Sequence, residues 1–336
     1  MIATLLVFLC HALEHTGYLS KIGVIGIIGN YCSVGVPMFL LMSGYLYGKR
    51  EYEHFGQRSQ IIFRGFKKVL TDYYVYAFIM IVPLYWFIAP ETVSVKAFIY
   101  TLMGRFSFPN LVHFWYIPYI LFCYLITPLL YDIKGHLKEV CHQPPLFILV
   151  SLLFILPILL LVYNGYFRAV YLSCYIIGFF LSDILQWYGG RLSVKQLFYC
   201  TTPWCFVLNG VKLYLKNISK INNSAANILY DIAHVVFAIE LCLGIVLVYR
   251  AFPQRIKKAR ALSLILAMSD QYSYDFYIVH MLWVKGLLSV MGLTRSYVLN
   301  IGLALMIGIA NAMVLRNICI CLSNRRSDHC TKHKLL

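Results

Sequence analysis

Four groups of side chains in this 336-residue chain could do chemistry. The first is His11, with Glu14 three and His15 four residues on, so that in a helix all three share a face and the carboxylate could orient or charge-stabilise either imidazole. An imidazole exchanges its proton near neutrality, which suits it to act as general base on a hydroxyl. The plainer reading has Glu14 and His15 reaching out to lipid headgroups. The second group is Tyr277 and His280, again three apart, where a phenol could hydrogen-bond the imidazole and fix its tautomer. A buried histidine satisfied by its surroundings is the alternative. The third is His113-Phe114-Trp115-Tyr116, which physics alone also allows as an aromatic belt with an interfacial histidine. The fourth is Arg64-Gly65-Phe66-Lys67-Lys68 with Asp72 just beyond, a basic mouth that could hold phosphates, although cytoplasmic loop charges alone would look the same. Lys285, on the same stretch as His280, reads as a residue snorkelling outward.

These groups stand out because of what surrounds them. The chain is 61% hydrophobic and 12% charged, against about 45–50% apolar and about 25% charged in soluble domains, and its mean hydropathy is +0.73. This is an all-α, polytopic membrane bundle, in which ionisable groups inside apolar spans are costly and point to function. Ten spans of about 20 apolar residues are predicted, at 1–15, 23–47, 69–89, 112–131, 145–163, 168–187, 195–211, 227–249, 272–292 and 297–320. The seventh carries Thr201-Thr202-Pro203. The second, through Val34-Gly35-Val36-Pro37 and Ser43-Gly44, has a bend and a small-residue step where helices can approach closely. The stretch 254–268 starts basic and ends apolar, and is expected to form an interfacial helix that breaks at Ser269-Asp270-Gln271.

The formal charge of +16 would suggest nucleic acid in a soluble chain. In this chain the placement of the basic residues matters more. With both ends cytoplasmic, 20 of the 29 Lys and Arg fall inside, 8 fall outside, and Lys285 sits within a span. That asymmetry is the expected one for a cytoplasmic amino end and ten spans. It predicts that a reporter at the carboxy end or at Lys134–Lys138 reads cytoplasm and one in 212–226 reads outside. The 11 cysteines show no repeated Cys-x-x-Cys and read as small helix residues. Cys319, Cys321, His329, Cys330 and His333 lie among basic residues and read as a frayed tail rather than a metal site. The chain reads as one transmembrane domain, 1–320, with a basic tail, 321–336. There is no phosphate-binding loop, Ser-centred elbow or His-Glu-x-x-His.

The order of these motifs resembles the integral-membrane acyltransferase family 3, whose members typically O-acylate cell-surface sugars in bacteria. Gly35 to Tyr45 is similar to the family's G-V-x-x-F-F-x-x-S-G-Y segment, with Met38 and Leu40 as hydrophobic substitutions, and His11 matches the histidine that precedes it. His113-Phe114-Trp115 resembles H-x-W-F-L, and Ser273 to His280 resembles S-Y-x-x-Y-L-x-H. Smaller echoes are Trp115 through Pro128 and Ile177-Gly178-Phe179-Phe180. The family's Arg-rich segment before the third span usually ends in Pro. Here Leu70-Thr71-Asp72 departs from it, and only Arg64, Lys67 and Lys68 carry over.

The resemblance implies an O-acyltransferase, O-acetyl by preference, that uses acyl-CoA as donor substrate and needs no permanently bound cofactor. The acceptor would be a hydroxyl of a surface polysaccharide or its lipid-linked precursor. It implies His11, Glu14 and His280 as catalytic, Arg64, Lys67 and Lys68 as donor-binding, and His113, Trp115, Tyr277 and Ser43 on the acceptor side. Either direct transfer or an acyl-histidine intermediate fits. The implied partners are acyl-CoA, a glycan and the bilayer, with no nucleic acid and no metal. A polysaccharide exporter or flippase without acyl transfer is the rival reading, and a non-catalytic assembly partner the third. In the family an arginine stands eleven residues before this histidine, which falls one position before Met1. The first span, about 20 Å long from Met1 to Leu13, is short of a hydrocarbon core of about 30 Å. Both observations lead to the expectation that the reading frame continues upstream of Met1.

Overall fold

The computed structural model describes residues 2–17, 23–50, 55–104, 108–140, 169–187, 193–215, 219, 224–252 and 260–332. The expected span at 145–163 and the start of the stretch 254–268 lie outside them. Among the described residues every regular element is helical. Five helices are long and apolar enough to cross a membrane: Ile25–Gly48, Ile62–Ile88, His113–Glu139, Ala226–Ala251 and Tyr297–Leu322. Ile2–His15 and Tyr171–Leu181 are shorter apolar helices. In chain order the helices are α1 (Ile2–His15), α2 (Val24–Cys32), α3 (Gly35–Gly48), α4 (Phe55–Val75), α5 (Val82–Ile88), α6 (Val95–Leu102), α7 (Tyr116–Val140), α8 (Ala169–Trp187), α9 (Val194–Leu213), α10 (Ser224–Ala251), α11 (Arg260–Val284) and α12 (Tyr297–Lys332).

The chain falls into two compact units. One comprises 1–30, 63–121 and 264–336, and the other 31–62 and 122–263. The first unit is held together by large apolar and aromatic side chains. Phe8 on α1 meets Phe276 on α11 with ring centroids 5.7 Å apart, and the Tyr274 hydroxyl donates to the Val69 carbonyl of α4 at 2.9 Å. A π-helical segment, Tyr76–Ile81, joins α4 to α5 just before Pro83. That is the usual way for a helix to absorb the N–H that proline lacks.

The second unit is built on close backbone approach. A Cβ on Gly44 would collide with the Tyr175 carbonyl oxygen, one on Gly48 with that of Phe179, and one on Gly178 with that of Leu41. The Ser-Gly step in the sequence is thus the contact seam of α3 and α8, packed as small-x-x-x-small pairs pack in membranes. The predicted bend in the second span is a break at Ser33-Val34, between α2 and α3.

Three expectations are corrected. Ser269-Asp270-Gln271 does not break the chain, because α11 runs unbroken from Arg260 to Val284. Weak helix formers cost only tenths of a kcal/mol each, and a continuous hydrogen-bond ladder outweighs that. The same helix ends at Val284, well short of the expected 292. Residues 321–332, read as a frayed tail, continue α12 to Lys332. Thr201-Thr202-Pro203 sits inside an uninterrupted α9, which starts on a capping box between Ser193 and Gln196.

Candidate active site

α1, the 3₁₀ turn Val112–Trp115 and α11 each bring one histidine to the same place in the first unit. The rings of His11 and His280 stack with centroids 5.6 Å apart. His113 meets His280 edge-on at 5.0 Å. Of the three, His113 and His280 are fully buried.

Backbone carbonyls only accept hydrogen bonds, so the contacts of the two buried rings define their tautomers. His280 Nδ1–H donates to the Tyr277 carbonyl at 2.7 Å, and His113 Nε2–H donates to the Ile278 carbonyl at 3.0 Å. The remaining nitrogens, His280 Nε2 and His113 Nδ1, carry lone pairs that are buried and have no partner among the described residues. Two unspent acceptors side by side in a dry, aromatic-lined place can receive a hydroxyl proton or hold a substrate N–H or O–H.

Here the expectation for Tyr277 is corrected. Its phenol does not bond the His280 imidazole. It donates to the backbone carbonyl of His113, and the tautomer of His280 is set by Tyr277's own carbonyl. The carbonyl of residue i−3 lies within reach of a ring nitrogen on the same helix, whereas the phenol three residues earlier extends away toward the neighbouring 3₁₀ turn.

His11 is held from its own helix, as its spacing to Glu14 suggests. Its Nδ1 lies 3.4 Å from Glu14 Oε2. The same oxygen takes an ion pair from Lys285 Nζ at 2.7 Å, so Lys285 does not snorkel away but clamps the carboxylate that orients His11. Lys285 still donates its N–H to the Met281 carbonyl at 2.9 Å, so it stands at the last helical position of α11, and the chain turns just after it, where Gly286 N–H bonds the same carbonyl at 2.8 Å. Trp115 packs edge-on against Tyr119 at 5.3 Å and is 36% exposed. Ser43 belongs to the second unit, where its hydroxyl is hydrogen-bonded with the Tyr124 phenol.

The basic group read from the sequence lines a pocket of about 330 Å³ in the first unit, formed by Arg64, Lys67, Lys68, Thr71, Asp72, Arg316, Cys319 and Ile320. That size is within the range of small-molecule sites. Four cations face one carboxylate there, so the pocket favours an anion. Arg316, from α12, pairs with Asp72 at 3.7 Å. The sequence places Arg316 only among the cytoplasmic charges. Asp275 on α11 lies close enough to Asp72, Arg316 and Lys68 to interact with their charges. It precedes His280 by five residues on the same helix. No group of three metal-ligating side chains is arranged around an ion among the described residues.

The apolar helices are those of a multi-pass membrane protein. The family model described as an acyltransferase domain, Acyl_transf_3, matches residues 1–316. The chain therefore belongs to acyltransferase family 3, as its motifs suggest. No curated protein and no solved structure matches it.

Proposed function

We propose that this acyltransferase moves an acyl group, by preference acetyl, from cytoplasmic acyl-CoA to a hydroxyl of a cell-surface polysaccharide or its lipid-linked precursor. The observation that carries the reading is the stack of His11 on His280 within a unit that also holds the Arg64–Lys67–Lys68 pocket. An acyl-CoA presents phosphates at one end and a thioester at the other. A single unit that holds both a cationic pocket and an imidazole pair suits such a two-ended donor.

In this proposal Glu14 accepts from His11 Nδ1–H, leaving Nε2 to take the proton of the acceptor hydroxyl. The hydroxyl oxygen then bonds to the thioester carbonyl carbon, the C–S bond breaks, and the departing thiolate takes the proton back from the imidazolium, giving ester and free thiol. His280, whose Nε2 carries a lone pair inside the site, accepts a hydrogen bond from a neighbouring O–H of the acceptor. His113, Trp115 and Tyr277 are assigned to the acceptor side, as aromatic faces for a sugar ring. Ten spans with both termini cytoplasmic, in the cell's plasma membrane, is the topology that fits the charge partition.

The test is the O-acetyl content of surface glycan, measured by proton NMR in cells lacking the gene and complemented with it. The proposal requires acetyl groups to vanish and return while glycan export persists. Loss of the surface glycan itself would make the protein an exporter.

A further inference from the structure

Arg316 is the pocket residue that the sequence motifs do not include, and its hydrogen bonding is incomplete in a specific way. Its guanidinium sits 3.7 Å from Asp72, close enough for charge attraction but beyond hydrogen-bond length. The Asp72 carboxyl is instead hydrogen-bonded with the Cys319 thiol one turn further along α12. Arg316 Nε is buried and has no hydrogen-bond partner among the described residues. Asp72 is itself buried, so it can hold the guanidinium in place by charge without occupying its fork. A planar guanidinium held beside Asp72 with its Nε donor unspent, on the wall of a cationic pocket, suits a phosphate.

We infer that Arg316 is a specificity-determining residue that reads a phosphate of the ligand in this pocket, with Asp72 as its positioning partner. Lys67 and Lys68 are exposed and supply charge of the kind any anion would feel. Arg316 supplies the directional contact. The inference rests on the acyl-CoA reading above, with the nucleotide phosphates of the donor as the group recognised. The headgroup phosphate of an anionic lipid is the other source of the same chemistry.

The experiment uses the full chain in phosphatidylcholine nanodiscs, with CoA and pantetheine as separate probes of calorimetric affinity. For Arg316→Gln, CoA affinity should fall about ten- to hundredfold, the range for a charge-assisted hydrogen bond, while pantetheine affinity changes less than about twofold. Arg316→Lys keeps the attraction to Asp72, so the fold is preserved, but lacks the fork. It should still lose a large part of the CoA affinity. Equal losses for both probes, or unchanged CoA affinity in both variants, overturns the assignment of Arg316 while the acyl-CoA reading stands. A wild-type chain that binds no CoA overturns that reading too. If phosphatidylglycerol in the nanodisc competes with CoA in the wild type but not in Arg316→Gln, the pocket's occupant is a lipid phosphate, and the nucleotide assignment falls.

Discussion

Both units bury ionisable groups among apolar helices, but they treat them differently. In the second unit the polar groups are spent on one another. Lys134 bonds Asp183 at 2.7 Å and the Gly48 carbonyl at 2.7 Å, and Lys138 bonds the other Asp183 oxygen at 3.0 Å. The Glu240 carboxylate accepts from both Thr201 and Thr202. Ser33, His234 and Lys212 form a continuous chain of hydrogen bonds at 2.9 Å. In the first unit the corresponding groups are left open. Of the eight buried side-chain polar atoms without a partner among the described residues, only Asn209 Oδ1 belongs to the second unit. The others include His113 Nδ1, His280 Nε2, Asp275 Oδ1 and Arg316 Nε. An unpaired buried polar atom costs about 1–3 kcal/mol. Under the proposed function a substrate completes several of them, so the same kind of residue would be structural in one unit and functional in the other.

Substitutions should therefore separate into losses of activity in the first unit and losses of stability in the second. The largest effect is expected at His11. His11→Ala should lower glycan acylation by about 10²–10⁴-fold, with the protein accumulating in the membrane as the wild type does. Residual activity near wild type, in cells with no other acyltransferase, would remove His11 from the mechanism. Next comes Gly44→Leu, whose side chain would force α3 and α8 apart. Folded yield by size-exclusion fluorescence should fall about tenfold or more. Normal yield with lost activity would instead bring α3 into the site and erase the contrast.

A smaller effect is predicted for Lys285→Met, which releases the carboxylate that orients His11. Turnover should fall about tenfold, the scale of losing a supporting partner around a reactive group, while the melting temperature holds. Lys285→Arg should recover part of the turnover, since it restores the cation. A fall in melting temperature that matches the activity loss would make Lys285 a structural residue like those of the second unit. The smallest effect belongs to Thr202→Val, which removes one of two hydroxyls from Glu240. Interhelical hydrogen bonds of this kind contribute about 0.6 kcal/mol on average, which at this chain length is a melting shift of about 1–2 °C. A large loss of acylation from this variant would show that Glu240 works in the reaction.

Much of this was legible from composition and spacing, for physical reasons. A chain this apolar has to satisfy its backbone internally, so helices and membrane spans follow from hydropathy alone. His11 and Glu14 meet because spacing of three places side chains together on any helix. Gly44 announces a close contact because it lacks a Cβ, although its partner, the backbone of Tyr175 and Phe179, could not be read. The positions of Arg64, Lys67 and Lys68 around one pocket also follow from one helical face.

What the tertiary structure alone decided is where chain-distant groups meet. Lys285 meets Glu14 because the end of α11 packs beside the last turn of α1, and which helices become neighbours cannot be read from hydropathy. Arg316 turns from a cytoplasmic charge into a pocket wall because α12 packs with that face toward Asp72. The donor roles of His113 and His280 are set by two backbone carbonyls, Ile278 and Tyr277, and a carbonyl has no residue type to read in a sequence. Residue types and periodicity determine which groups are costly to bury. Only packing determines which of them are satisfied, and the unsatisfied remainder is where the proposed function looks for its chemistry.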